Sequence, residues 1–200
     1  MTNTTLTLSD MDTACKAGDL TQIKHLYENG CPWDEDSCVS AVEGGHLDCL
    51  KYLHENKCPW DQFSCTSAAE GGHLDCLKYI FEQSVAEGKE CLWDADTSAS
   101  AAGGGHLDCL IYLCENKCPT YSSICGFAKD GHLDCLKYLH QNGYPLSYES
   151  HKIKPDGPMD SFGFLRGINE NSFRKDIREK YMKDFPECYE YVMQNLPNVN

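Results

Sequence analysis

The sequence predicts an all-α protein made of tandem helical repeats, and two observations lead to this prediction. A ten-residue phrase, Gly-His-Leu-Asp-Cys-Leu-Lys-Tyr-Leu-His, occupies residues 45–54 and again 131–140. Close copies begin at Gly72 and Gly105 and a diverged copy at Gly18, so that successive copies start 27, 27, 33 and 26 residues apart. Self-similarity at such a period indicates an array of about five repeats.

Each phrase predicts an amphipathic helix. In the copy at 45–54, Leu47, Leu50 and Leu53 recur at helical spacing and form one apolar stripe. The run ends before Pro59, which cannot continue a helix. A helix of about 10 residues is marginal in water on its own, so the stripe must be buried against a neighbouring helix.

A shorter helix is predicted before each phrase. Residues 37–43 lead into the pair Gly44-Gly45, which supplies the tight reversal between the two helices. Small residues such as Ala68 and Ala69 allow these short helices to approach one another closely. We expect hydroxyl residues to be their N-caps. These residues are Ser37, Ser64, Thr97 and Ser123.

The pattern Ala-Ala-x-x-Gly-His-Leu-x-x-Leu-Lys-Tyr-Leu-x-x-Asn resembles the ankyrin repeat, whose period is 33 residues. The resemblance covers roughly residues 9–147. The Thr-Pro-Leu-His opening of that family is absent, and most units are about six residues short. The loss falls in the return loop, which implies that the family's β-hairpin finger is reduced to a tight turn. This Cys-Pro-Trp-Asp style is similar to ankyrin proteins of protists and of the giant viruses that infect them.

The resemblance implies an ankyrin-type solenoid of about five helix-turn-helix units over residues 1–150. Pro155, Gly157 and Pro158 then interrupt the pattern. Within residues 151–200 we predict a helix opened by Ser172 and a second one from Cys188 to Leu196. Because repeat arrays need terminal caps, we interpret this segment as a helical C-terminal cap. A tail that carries a separate interaction is the alternative.

Fourteen cysteines make the chain cysteine-rich, and most of them recur once per repeat. Packed helices lie about 8–10 Å apart, whereas a disulfide needs Cα atoms within ~7 Å. We therefore interpret the cysteines as reduced core residues. A thiol-based metal-binding or redox-responsive protein is the alternative, but the sequence has no Cys-x-x-Cys pair. We expect no metal and no cofactor. The two ladders are Cys49, Cys76, Cys109 and Cys135, and Cys31, Cys58, Cys91 and Cys118.

No catalytic constellation stands out, so we expect a protein that is not an enzyme. A histidine follows the glycine turn in four of the five copies, as His46, His73, His106 and His132. This periodic placement indicates a structural role, and the ankyrin resemblance implies the same role. No stretch approaches 18 apolar residues, and the first residues do not resemble a signal peptide. We expect a monomer in the cytoplasm, or in the host cytoplasm if the protein is viral, with no membrane partner.

The charge distribution is acidic and uneven. Residues 1–150 hold 9 lysines against 23 acidic residues, a net charge of −14, whereas residues 151–200 hold 8 basic and 8 acidic residues. A phosphate backbone would be repelled by such an array. This balance excludes nucleic acid as the expected partner and favours a protein with a basic surface.

Two further features leave alternatives open. Trp33, Trp60 and Trp93 are each followed by aspartate, and they either fill the space under the shortened loops or stand exposed as binding anchors. Residues 82–90 are an insertion that either extends the preceding helix by about a turn or forms a surface loop.

The units differ most at the junction between the return loop and the first helix. The resemblance implies a non-enzymatic scaffold for protein–protein interaction, whose concave binding face borders this edge. We predict that the large rings of Phe63 and Tyr121, which have no counterpart in sister units, anchor a partner, and that acidic neighbours steer it. The predicted partner-binding residues are Glu35, Asp36, Gln62, Phe63, Ala95, Asp96, Tyr121 and Ser122.

Overall fold

The computed structural model describes residues 6–89, 93–121, 131–144 and 184–195, which form ten α-helices and no strand. The predicted all-α helical repeat architecture is confirmed. The helices are α1 (Leu8–Ala17), α2 (Leu20–Glu28), α3 (Glu35–Glu43), α4 (Leu47–Glu55), α5 (Gln62–Glu70), α6 (Leu74–Ala86), α7 (Ala95–Gly103), α8 (Leu107–Glu115), α9 (Leu133–Gln141) and α10 (Pro186–Asn195).

The chain divides into two compact units, Met1–Pro119 and Thr120–Asn200. The division into an array over 1–150 and a tail over 151–200 stays a prediction, because residues 145–183 lie outside the described part of the chain.

In the first unit, two layers of helices enclose the core. The first helices of the repeats (α1, α3, α5 and α7) pack side by side, and the second helices (α2, α4, α6 and α8) form a parallel row behind them. Leu50 and Leu53 of α4 are fully buried, as the apolar stripe predicts. Ala68 and Ala69 of α5 are also fully buried, because their small side chains permit close helix contact.

In the second and third repeats, a histidine ring joins the repeat to the one before it. The Nε2 atom of His46 lies 3.1 Å from the backbone oxygen of Lys16, and that of His73 lies 3.1 Å from the backbone oxygen of Glu43. Since a carbonyl oxygen only accepts, Nε2 carries the proton and donates it. Each acceptor belongs to the last turn of the preceding first helix, so the expected structural role of these histidines is confirmed for both rings.

The same rings explain why glycine occurs in pairs. A Cβ atom on Gly45 would lie 2.5 Å from Nδ1 of His73, and one on Gly71 would lie 2.6 Å from its Nε2. One ring is therefore held between the second glycine of the preceding repeat and the first glycine of its own. Gly45 also has a φ of +72°, which disfavours any side chain.

We predict that Gly45→Ala lowers the free energy of unfolding by roughly 2–5 kcal/mol, from left-handed strain together with a displaced histidine hydrogen bond. Gly30→Ala is the control, because Gly30 has a φ of +79° and a Cβ there would meet no described atom within 4 Å. The equivalent residues Lys57 and Lys117 adopt positive φ with a side chain present. Urea denaturation measures both variants, and equal losses would contradict the role of the ring.

The first helices begin three residues earlier than the hydroxyl pattern suggested, so the predicted N-caps are wrong. In α3 the N-cap is Asp34, whose carboxylate accepts from the amide of Asp36 at 3.1 Å. Ser37 lies at the third helical position, where its Oγ accepts from the amide of Asp34 at 3.4 Å. Asp61 and Asp94 are the N-caps of α5 and α7. Ser123 lies outside the described residues.

The displaced hydroxyls connect neighbouring first helices instead. Ser37 donates to Oδ1 of Asp12 at 2.8 Å, and Thr97 lies 3.3 Å from the hydroxyl of Thr66. The residue of α3 that corresponds to Asp12 of α1 and Thr66 of α5 is Val39, which offers no hydrogen-bonding side chain. Ser64 is fully buried, and its hydroxyl finds no partner among the described residues.

These two serines give a matched pair for mutation. We predict that Ser37→Ala costs about 1–3 kcal/mol, because the half-buried carboxylate of Asp12 and the amide of Asp34 both lose their hydrogen bond to the serine hydroxyl. Ser64→Ala should change stability by less than about 0.5 kcal/mol or increase it, since it removes a hydroxyl that already lacks a partner. Thermal and urea unfolding of both variants tests this difference, and a larger loss from Ser64→Ala would refute it.

In the second unit, α10 packs on α9 as one second helix packs on the next in the first unit. The ring of Phe185 occupies the space beside Gly131, as the histidine rings do beside their glycines. The hydroxyl of Tyr191 lies 2.8 Å from Nδ1 of His140, and Lys137 lies 5.9 Å from the centre of the Tyr191 ring. The helix predicted from Cys188 is confirmed and begins at Pro186. Most of the predicted helix before it lies outside the described residues.

The insertion lengthens a helix, which was one of the two expectations. Helix α6 has 13 residues where α4 and α8 have 9. Its C-cap, Glu87, lies 3.0 Å from Nε2 of His54 and 2.8 Å from Nζ of Lys89. Hydrogen bonds from Lys89 and then from His54 lower the pKa of the Glu87 carboxyl. The insertion is therefore tied back to the repeat that precedes it.

Candidate functional site

The predicted junction residues of the first unit stand at the first two positions of α3, α5 and α7. Glu35, Asp36, Gln62 and Asp96 are exposed, and Ala95 is half-buried. Phe63 is 61% exposed, the highest value among the large apolar side chains that the structure describes. Tyr121 is half-buried in the second unit, and Ser122 lies outside the described residues.

The N-cap aspartates place three of these side chains equivalently. The backbone amides of Asp36, Phe63 and Asp96 donate to the carboxylate two residues earlier, at 3.1, 2.9 and 2.9 Å. Because the same capping contact recurs in each repeat, the three side chains leave their helices at corresponding points. Helix α5 packs against both α3 and α7, so the three side chains form a row. We call Asp36, Phe63 and Asp96 the Phe63 row.

The edge around this row is acidic. The carboxylate of Asp34 raises the pKa of Asp36, and Asp12, Glu35 and Asp61 contribute in the same direction. This shift shows that several carboxylates lie near one another. The sequence has no lysine, arginine or histidine within 34–40, 61–67 or 94–100.

Four lysines of the first unit make their contacts on other surfaces. Lys16 pairs with Glu43 at 2.8 Å near the opposite ends of the first helices. Lys24, Lys51 and Lys78 are on the second helices, each 5.4–5.7 Å from the centre of a tyrosine ring in the following repeat. These four lysines therefore make their contacts away from the carboxylates at the heads of the first helices, and that end of the unit carries a negative field.

The tryptophans pack inside the repeats and are not part of this edge. Trp60 and Trp93 are only 9% and 7% exposed, and Trp33 is half-buried. Each stacks at 4.0 Å on the ring of the eighth residue of the preceding second helix. Of the two interpretations, burial favours space-filling over binding anchors. The stacking partners, which the sequence did not reveal, are Tyr27, His54 and Phe81.

The cysteines are thiols in the core. Of the twelve that the structure describes, none forms a disulfide and all but Cys114 are buried. In the ladder that begins at Cys31, three described thiols donate to the backbone oxygen of the N-cap residue 24 positions earlier. These bonds run from Cys31 to Thr7 at 3.2 Å, from Cys58 to Asp34 at 3.1 Å and from Cys118 to Asp94 at 3.2 Å. Among the described residues, no three histidine, cysteine or acidic side chains form a group that could hold a metal ion.

Burial strongly raises the pKa of several of these thiols, and this makes stability depend on pH. It raises the pKa of Cys15 and Cys109 to about 12 and that of Cys76 to about 11, from an ordinary value of 9.0. An unfolded thiol ionises near pH 9 while these stay protonated, so folding opposes their ionisation. The contribution of these buried thiols to the free energy of unfolding is complete below pH 9 and is lost as pH rises towards 11–12.

We therefore expect the urea midpoint to fall between pH 8 and pH 10.5, and Cys76→Ala to reduce the slope of that decline. At pH 8 the half-buried Cys114 should react with a thiol reagent first, and the buried thiols only after denaturant is added. A midpoint that does not change with pH, or rapid labelling of every thiol in the native protein, would contradict the core assignment.

Comparison with known proteins bears on the fold. No protein-family model matches the chain, and no curated protein matches it. Among solved structures, the chain is similar to the crystal structure of the human ASB11 ankyrin repeat domain, with a TM-score of 0.54 and 19% identity. The match covers 68% of this chain and 69% of that chain.

The helix pairs and this likeness define a class, the helical repeat solenoid. Within that class the fold is that of the ankyrin repeat. The shortened variety typical of protists and giant viruses stays a prediction. None of the described helices is long and apolar enough to span a membrane.

Proposed function

We propose that the chain is a non-enzymatic scaffold that binds a partner protein with a basic surface through the Phe63 row and its acidic surroundings. The ankyrin fold supports a role in protein–protein interaction. The observation that carries the location is the exposed ring of Phe63, which is set among carboxylates at the heads of the first helices. The expectations of a monomer in the cytoplasm that does not bind nucleic acid accompany this proposal.

Phe63 suits the role of anchor because packing within the array does not explain why this position holds a phenylalanine. The corresponding residues in the neighbouring repeats are Asp36 and Asp96, so the fold accepts a short polar side chain at this position. An exposed aromatic ring becomes valuable when a partner covers it, and such an anchor contributes about 2 kcal/mol or more to binding. The ring is therefore better explained by a partner than by stability.

The carboxylates suit the role of steering groups. Exposed charges near an interface mainly change the association rate and its salt dependence. Glu35 and Asp36 lie on one side of Phe63 and Asp96 on the other, so an approaching basic surface is drawn towards the ring from both sides. Gln62 and Ala95 border the row. The predicted part of Tyr121 and Ser122 in partner binding stays a prediction.

Affinity capture with the full chain, followed by mass spectrometry and a binding assay with the captured protein, tests this function. Phe63→Ala should weaken binding about 30-fold, which corresponds to the loss of roughly 2 kcal/mol. Asp36→Asn with Asp96→Asn should slow association and flatten its salt dependence. Both sets of variants should keep the wild-type free energy of unfolding within about 0.5 kcal/mol.

Val85→Ala is the matched control. Val85 is 57% exposed, like Phe63, but it lies in the insertion at the end of α6. Unchanged affinity in a folded Phe63→Ala variant would refute the proposal. A loss confined to Val85→Ala would assign binding to the insertion instead.

A further inference from the structure

The spacing of the Phe63 row specifies what kind of partner segment it can take. We infer that the row binds an extended basic segment in which one apolar side chain lies between two cationic side chains, each three residues away. The inference rests on the proposed function and adds the sequence pattern and conformation of the partner.

The three members of the row are separated by one repeat each. Asp36, Phe63 and Asp96 are the second residues of α3, α5 and α7, which pack side by side. Packed helices lie about 8–10 Å apart, so neighbouring members of the row have about this separation. In a polyproline II segment, residues i and i+3 point the same way and are about 9.3 Å apart. A three-residue period in the partner therefore matches the repeat period of the array.

The surface beside the row favours an extended segment over a helix. A helical partner has a diameter of about 10–12 Å and would need positions i, i+7 and i+14 to reach all three members. It would also rest on the next turn of the first helices. The side chains there are the small, half-buried hydroxyls of Ser40, Ser67 and Ser100. An extended chain needs only seven residues and makes its contacts along the row itself.

The chemistry of the row determines the order of side chains in the segment. The centre is an exposed phenyl ring, which an apolar side chain covers. The ends are the carboxylates of Asp36 and Asp96, with the N-cap carboxylates of Asp34 and Asp94 two residues before them. Arginine suits these ends better than lysine, because its planar guanidinium donates to a carboxylate with two parallel hydrogen bonds.

Two fluorescent peptides of identical composition test the inference against the full chain by anisotropy titration. In Gly-Arg-Pro-Pro-Leu-Pro-Pro-Arg-Gly the arginines are three residues from leucine, and in Gly-Pro-Arg-Pro-Leu-Pro-Arg-Pro-Gly they are two residues away. We expect at least tenfold tighter binding of the first peptide. Phe63→Ala should abolish this preference, and Val85→Ala should retain it.

Equal affinity for the two peptides, a preference that survives Phe63→Ala, or no binding of either peptide would overturn the inference. Tighter binding of a helical peptide with leucine at its centre and arginines seven residues away would overturn the extended conformation. If a captured protein partner still depends on Phe63 while the peptides are not discriminated, the inference is wrong and the proposed function stands. If neither depends on Phe63, both are wrong.

Discussion

The stacking of the repeats depends on a histidine ring held between two glycines. The ring of His73 fills the space beside Gly45 of one repeat and Gly71 of its own, and its Nε2 donates to the first helix of the preceding repeat. Steric fit sets the distance between repeats, and the hydrogen bond sets their register. A glycine pair costs backbone entropy, but neither glycine can gain a side chain without displacing the ring. Neighbouring hydroxyl and thiol contacts then have a fixed frame in which to form.

Because this frame satisfies packing at the turns and in the core, other positions are free to differ. The second residue of each first helix is such a position, since the N-cap aspartate binds its backbone amide and makes no demand on its side chain. Aspartate, phenylalanine and aspartate occupy this position in successive repeats. The fold thus separates residues that hold the array together from residues that can meet a partner.

The sequence predicted the repeat, the apolar stripes and the exposed ring of Phe63, because each is visible as a periodic feature or as a departure from one. It did not predict the helix starts correctly. Asp34 and Ser37 are both favourable N-cap residues, and only the geometry shows that the carboxylate caps while the serine returns the bond. The sequence did not identify α10 as a further copy of the repeated phrase, because Phe185 replaces the histidine. The contact of Phe185 with Gly131 shows the correspondence. The thiol-to-carbonyl bonds join residues 24 positions apart, and the stacked rings join a tryptophan to a different residue type in each repeat. The recurrence of one residue type does not show which other residue it contacts.

The long repeat shows what defines the period of this array. Six extra residues separate Gly72 from Gly105, yet His106 packs against Gly72 as His73 packs against Gly45. The stacking of Phe81 on Trp93 is also retained at 4.0 Å across the added turn of helix. The stacking contacts therefore do not fix the repeat length, because they do not involve the residues between Phe81 and Trp93. That junction is a natural place for the chain to gain or lose sequence, and a designer could lengthen it without disturbing the register of the solenoid.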